Sequence, residues 1–290
     1  MYIVEQIFNG ISQGMIYALM AIGYSMIVGV TGLVTFTYGE VAMIGAFASY
    51  YAFNLLNVPL PIAILCSFLA AGLVGIIIHK VCYEHFLDAP KHISLICTIG
   101  MSMLLKNMAQ IVFGTEVKPM PDGILRGVIN IGAFRISYMQ LFIFSIVVTM
   151  SIVFTLFLHK TKLGMALRSV SQSRKAAAII GMDVKRITLL GNAIGCAMAG
   201  VAGILLACYY TTVAPTMGGS IGLKAFSAAV LGGMTNVAMA ALGGLLIGIV
   251  ESIGITLTST GIRDAIAFGF LIIVLTISPN GLVRKGSVKL

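Results

Sequence analysis

The chain has 290 residues, of which 59% are apolar and only 9% are Asp, Glu, Lys or Arg. An ordinary soluble domain carries about 25% charged residues, so this composition cannot cover a water-exposed surface. A soluble enzyme, a disordered chain and a disulfide-rich secreted domain are excluded, and with a mean hydropathy of +1.06 an all-α polytopic membrane protein remains.

A crossing helix uses about 20 apolar residues, so about eight fit beside the loops and leave no room for a large soluble domain. In chain order the apolar runs predict helices over 7–29, 34–54 and 60–79, the last opened by Pro59 and Pro61. Further helices are expected over 93–113, 139–158 and 187–210. A Gly-rich segment, 218–235, precedes helices over 237–257 and 262–278, the last stopped by Pro279. Residues 1–290 read as one transmembrane domain. Met1–Gln6 holds no Lys or Arg, so the first apolar run is expected to stay as a helix rather than be cleaved as a signal peptide.

Positive charge sets the orientation. The loop 159–186 holds Lys160, Lys162, Arg168, Arg174, Lys175, Lys185 and Arg186 and is expected in the cytoplasm. The tail, with Arg284, Lys285 and Lys289, belongs there too, and counting back places the N-terminus outside. Counting forward, three full helices leave the tail on the wrong side, so 218–235 must cross as a half-helix or broken helix. Non-helical backbone at that depth is tolerated only inside protein or along a wet cavity. Tyr50, Tyr51, Tyr138, Tyr209 and Tyr210 fall at predicted outer helix ends, as an interfacial aromatic belt requires.

Gly10 and Gly14, Gly191 and Gly195, and Gly244 and Gly248 have GxxxG spacing. That spacing lets helix backbones approach closely within the chain, or less simply between two copies. Gly10-Ile11-Ser12-Gln13-Gly14 matches a hydrolase pattern but opens an apolar helix instead of a strand–turn–helix, so it is read as chance. His79, Glu84, His85 and Asp88 lie close together, yet without ligand spacing they read as a solvated turn and not a metal site. The five cysteines show no CxxC pair and read as small buried hydrophobes, with Cys82 in a polar loop. No GxxxxGK[ST] run occurs, so the chain has no such ATPase site of its own. No cofactor, metal or nucleic acid is expected.

Four ionisable residues sit in apolar stretches: Glu40, Lys106, Lys224 and Glu251. Charge inside a bilayer faces a bundle interior or a pathway. Glu40, six to eight residues into its predicted helix near the cytoplasmic interface, reads as a structural anchor or a gating element. Lys106 needs a partner, either Glu40 or Glu251. Residues 166–180 form an amphipathic pattern with Gly181 as a C-terminal cap. This helix either lies on anionic lipid or docks a cytoplasmic partner.

Ala176-Ala177-Ala178 with Gly181, ahead of a helix carrying Gly195, Ala199-Gly200 and Ala202-Gly203, resembles the coupling-loop region of ABC importer permeases. Tyr17-Ala18-Leu19 through Gly23 and Gly29, then Phe36-Thr37-Tyr38-Gly39-Glu40 and Gly45-Ala46, resemble the permease subunits of branched-chain amino-acid importers. Gly222-Leu223-Lys224-Ala225-Phe226, Ala229-Val230-Leu231-Gly232-Gly233 and Pro279-Asn280-Gly281-Leu282 are similar to the same family. The pattern GxDLSVG of its sugar-transporting relatives is missing from 36–45. Tyr38 stands where many members carry His, and Met234-Thr235-Asn236-Val237 stands where many have a Gly- and Pro-containing turn.

The resemblance implies a transport subunit rather than an enzyme, in a bacterial inner membrane. Its expected partners are a second, related permease, two cytoplasmic ATP-binding subunits and a periplasmic substrate-binding protein. Branched-chain amino acids are the implied cargo, with urea or a short amide as the alternative. It places the coupling function on Arg168, Arg174, Ala176, Ala177, Ala178 and Gly181. Tyr38, Gly39, Glu40, Gly45, Lys106, Lys224, Gly232, Gly233 and Glu251 are the expected pathway or gating positions, because Gly-backed helix starts can offer dipoles to a zwitterion. A stand-alone channel or secondary transporter, and a lipid-modifying enzyme, are the rival classes.

Overall fold

A computed structural model of the chain describes residues 2–86, 90–120, 127–131, 134–257 and 262–277. Asp88, the Pro279–Leu282 motif and the basic tail lie outside them. The helices in chain order are α1 (Tyr2–Thr31), α2 (Tyr38–Leu56), α3 (Leu60–Ile78), α4 (Glu84–Phe86), α5 (Lys91–Phe113) and α6 (Tyr138–Lys160). They continue as α7 (Lys162–Gln172), α8 (Arg174–Ile179), α9 (Val184–Tyr210), α10 (Met217–Leu231), α11 (Val237–Leu257) and α12 (Arg263–Ile277). Six of the described helical spans are long and apolar enough to cross a membrane: α1, α3 with its continuation, α5, α6, α9 and α11. Every predicted helix has a counterpart, and the Gly-rich segment contributes α10.

One end of the bundle carries two short antiparallel ladders. β1 (Lys118–Pro119) pairs with β4 (Thr212–Val213), with Lys118 opposite Val213. β2 (Val128–Ile131) pairs with β3 (Phe134–Ser137), with Val128 opposite Ser137. This is the hairpin end. Ser137 then starts α6 with a capping box, its Oγ accepting from Met139 N–H while the Gln140 side chain accepts from Ser137 N–H. The opposite end carries α7 and α8 and is called the loop end.

α1 and α9 are buried along most of their length, whereas α3, α5 and α6 are buried over a minority of theirs. The reason is residue size. α1 meets α11 through Gly10, Gly14 and Ala18 against Gly244, Gly248 and Ser252, and the pairs descend, so the two run antiparallel. A Cβ at Gly14 would stand 2.7 Å from the Leu245 carbonyl oxygen. The GxxxG spacing thus works inside the chain. α3 meets α9 through Ala63, Ser67, Ala71 and Gly75, four residues apart and buried. Ser67 Oγ donates to Gly200 O at 2.7 Å and Asn192 Nδ2 to Gly75 O at 2.7 Å. The other side of α3 exposes Ile62, Leu65, Leu69, Leu73 and Ile77, a face for lipid.

Several expectations change. The second helix starts at Tyr38, not 34, because residues 32–37 fold back into the protein in non-helical form. Gly32 takes φ +62°, and Tyr24 Oη both donates to Thr35 O at 3.1 Å and accepts from Thr35 N–H at 3.2 Å. The side chain of α1 thereby replaces the missing helical bonds. Tyr38 Oη reaches Met20 O at 3.0 Å and Gly195 O at 3.2 Å, so α2 begins at the mid-depth of α1. Glu40 is accordingly a deep residue, 2% exposed, and not an interfacial one.

The region 79–86 is not a solvated turn. α3 continues as a π-helical turn, His79–Tyr83, and then α4. His79, Cys82 and Tyr83 are buried. Thr37 Oγ1 and Tyr83 Oη lie 3.0 Å apart, which fixes this turn against the re-entrant segment. The expected helix over 166–180 is two helices broken at Ser173. Its N–H bonds Ser169 O at 3.2 Å to end α7, and its Oγ accepts from Ala176 N–H at 3.2 Å to start α8.

α10 spans 15 residues, about 22 Å at 1.5 Å per residue, which is short of a full crossing. It starts beside β4 at the hairpin end and finishes at Gly232 toward the loop end. Since α9 ends and α11 ends both at the hairpin end, α10 supplies the return leg that the charge pattern requires.

Candidate functional site

The four ionisable residues of the apolar stretches, Glu40, Lys106, Lys224 and Glu251, fall into two groups joined by α10. The first is built on helix starts. Gly39 packs against Gly218 and Gly222, where a Cβ on Gly39 would lie 2.6 Å from Gly222 Cα. This contact sets Glu40 beside Gly218 and Gly219 in the first turn of α10. Ser102 and Lys106 of α5 are the groups acting on its carboxylate from the other side, while Oε2 has no hydrogen-bond partner. Of the two candidates for Lys106, Glu40 is the one whose carboxylate lies within reach of its charge, and no ion pair of Lys106 within 4.0 Å is found among the described residues. Tyr24, Phe36 and Phe226 meet just beneath, with ring centroids 6.0 and 6.1 Å from Phe226.

The second group gathers around Lys224, the middle residue of α10. Lys224 Nζ lies 2.9 Å from Glu251 Oε1 of α11 and 2.8 Å from Asp264 Oδ1 of α12. Arg263 Nε also pairs with Glu251 Oε1, and its guanidinium lies 4.8 Å from the Tyr210 ring centroid. Gln13 Nε2 stands 2.6 Å from Tyr17 Oη, 2.9 Å from Tyr210 Oη and 3.0 Å from Glu251 Oε1. An amide has two N–H groups, so three acceptors share two donors. The side chains of Lys224 and Glu251 are 6% and 0% exposed. Charges this deep each cost several kcal/mol unless paired. Here the two cations and two carboxylates sum to zero.

This group forms one wall of a cavity of about 220 Å³. Lys224, Arg263, Asp264, Tyr17 and Tyr210 line it together with Leu206, Met217 and Ile221. A larger space, about 360 Å³, lies at the loop end between Val28, Gly32, Leu33, Leu95 and the Met234–Thr235 turn. The Tyr24–Phe36–Phe226 cluster lies between the two.

Other expected positions serve packing. Gly45 abuts Gly200 and Ser67. Gly232 abuts Ala240, and Gly233 takes φ +83°. Gly233 N–H bonds Val230 O at 2.9 Å and Met234 N–H bonds Ala229 O at 2.7 Å, a Schellman end to α10. α8 ends the same way: Gly181 takes φ +83°, its N–H bonding Ala178 O at 3.1 Å and Met182 N–H bonding Ala177 O at 3.1 Å. Ala177 is buried, whereas Ala176, Ala178, Ile179 and Ile180 face outward, the last two 85% and 69% exposed. Arg174 Nε donates to Val30 O at 3.2 Å, which ties α8 to the end of α1. Arg168 Nη1 lies 3.2 Å from His159 Nδ1.

Sequence reasoning missed Gln13, Tyr17, Tyr210, Arg263 and Asp264 as members of the Lys224–Glu251 group. Tyr210, expected in the aromatic belt, turns inward to Gln13 and the cavity. The available signal was that Arg263 and Asp264 are adjacent charges of opposite sign opening an apolar helix.

The model of the family described as the branched-chain amino acid transport system permease component matches residues 6–275. The high-affinity branched-chain amino acid transport system permease protein BraD of Pseudomonas aeruginosa is 36% identical, the match covering 98% of this chain and 97% of that protein. The corresponding protein LivH of Escherichia coli is 34% identical over 100% of this chain and 98% of its own length. A ribose import permease protein, RbsC of Escherichia coli, is 25% identical over 80% and 70%. No solved structure matches. With its length matched end to end and its helices in the expected order, the chain belongs to the family of branched-chain amino acid transport system permeases.

Proposed function

We propose that this chain is the membrane-spanning subunit of an ABC importer that moves branched-chain amino acids inward across a bacterial inner membrane. ATP hydrolysis takes place in separate subunits. The observation that carries this reading is the full-length likeness, at 34–36% identity, to high-affinity branched-chain permeases.

The loop end supports the partner assignment. It carries Lys160, Lys162, Arg168, Arg174, Lys175, Lys185 and Arg186, so it faces the cytoplasm and the N-terminus lies outside. From this end α8 projects Ile179 and Ile180 beyond the bundle. Exposed branched side chains away from lipid suit a groove on a partner protein. Two ATP-binding subunits dock there, one beneath this chain and one beneath a second, related permease. Arg174 couples α8 mechanically to the α1 end, and the segment that follows leads directly to Tyr38, Gly39 and Glu40. A periplasmic binding protein delivers cargo to the hairpin end.

Uptake of radiolabelled leucine in a strain lacking this gene tests the reading. Complementation restores leucine uptake and leaves urea uptake at background. Restored urea uptake without leucine uptake would overturn the cargo assignment, and uptake that persists without ATP-binding partners would overturn the division of labour.

A further inference from the structure

We propose that the hairpin-end cavity is a binding site for the zwitterionic head of an aliphatic α-amino acid; this deepens, and rests on, the importer reading above. Three charged groups face the cavity: the Lys224 ammonium, the Arg263 guanidinium and the Asp264 carboxylate. Glu251 stands behind that wall, fully buried, and pairs with both cations. The charges of the site itself therefore sum to zero while separated charge of both signs is presented at its surface. A zwitterion keeps that sum at zero. A lone carboxylate or a lone amine would add one uncompensated charge in a low-dielectric site.

The geometry suits an exchange of partners. Lys224 Nζ and Asp264 Oδ1 are 2.8 Å apart, and the Asp264 side chain is 52% exposed, free to turn aside. An entering α-carboxylate takes the cations of Lys224 and Arg263, and its α-ammonium takes Asp264. Glu251 holds Lys224 in place throughout. Leu206, Met217 and Ile221 supply an apolar wall for the side chain, and Met adapts to differing branched shapes. The cavity lies at the hairpin end, the outer face in the proposed orientation, where cargo arrives.

The test is equilibrium binding of tritiated L-leucine to the purified full chain in lipid nanodiscs. Competitors are L-valine, L-leucinamide, which lacks the carboxylate, and 4-methylpentanoate, which lacks the ammonium. Saturable binding is expected, displaced by valine and about tenfold less effectively by the two single-charge analogues. Asp264→Asn narrows the preference for leucine over 4-methylpentanoate, and Arg263→Gln narrows the preference for leucine over leucinamide. A purely structural role for these residues would weaken all ligands alike, so a uniform loss overturns the proposal, as does the lack of saturable binding at millimolar leucine. The importer reading is scored separately, by ATP-dependent leucine uptake in cells. Unchanged uptake by Asp264→Asn with an unchanged ligand preference rejects the site and keeps the importer, while failure of the unsubstituted chain to support leucine uptake rejects the importer itself.

Discussion

Replacing Lys224 by Met leaves Glu251 with one cation, Arg263, and with the Gln13 amide 3.0 Å away. Replacing Glu251 by Met is harsher, because it leaves two cations with Asp264 alone. Removing one partner of a buried pair costs about 3–5 kcal/mol, much of it the penalty on the charge left behind. With side chains 6% and 0% exposed, water offers little relief. Lys224→Met is expected near the lower limit of that range and Glu251→Met near the upper. The double variant leaves Arg263 and Asp264, one charge of each sign and both partly exposed, so it should cost at least about 2 kcal/mol less than the two singles added together. Reversible unfolding in mixed detergent micelles, followed by far-ultraviolet circular dichroism, measures all three. Additive costs, or single costs below about 1 kcal/mol as for a surface pair, would refute the reasoning that these charges hold one another in a dry site.

Gly14→Val places branched carbons where the Leu245 carbonyl lies 2.7 Å from a first Cβ. It should cost about 1–3 kcal/mol or more through overpacking, read as loss of monodisperse protein in size-exclusion chromatography, and a fully stable variant would contradict the α1–α11 contact. Arg174→Glu sets a carboxylate against the Val30 carbonyl, and Gly181→Pro removes an N–H that bonds Ala178 O at 3.1 Å and cannot reach φ +83°. Both should abolish uptake while membrane insertion, measured by a C-terminal fluorescent fusion, stays normal; normal uptake would remove the coupling role. Glu40→Gln should lower uptake with protein levels unchanged if Glu40 gates, whereas a drop in protein level alone identifies it as a structural anchor.

The helices were legible because each apolar run is long and is bounded by charge or by Gly, Asn and Pro, as at Gly29, Gly32, Asn57 and Pro59. The departures have local causes. Residues 34–37 read as the start of a helix, but Tyr24 satisfies Thr35 on both sides, and a hydropathy pattern carries no trace of such a side chain. The contact of Ala63, Ser67, Ala71 and Gly75 with α9 has no GxxxG signature, although any small residues four apart can serve. Lys224 and Glu251 stood out as charges inside apolar runs. Their pairing did not, since five helices converge on the cluster and sequence distance conceals it: Gln13 and Glu251 are 238 residues apart. Likewise which carboxylate feels the charge of Lys106 depends on how α5 lies against α2, which is a tertiary fact. Arg263 and Asp264 open an apolar helix, where charge is ordinary, and Tyr210 ends one, where a belt residue is expected.

The most direct test of the account is reconstitution in liposomes of this chain with its second permease, both ATP-binding subunits and the binding protein. The account predicts leucine accumulation that requires internal-face ATP and every component, with no ATPase activity from the purified chain alone. Leucine flux through the chain by itself without ATP, or ATP hydrolysis by the isolated chain, would contradict it.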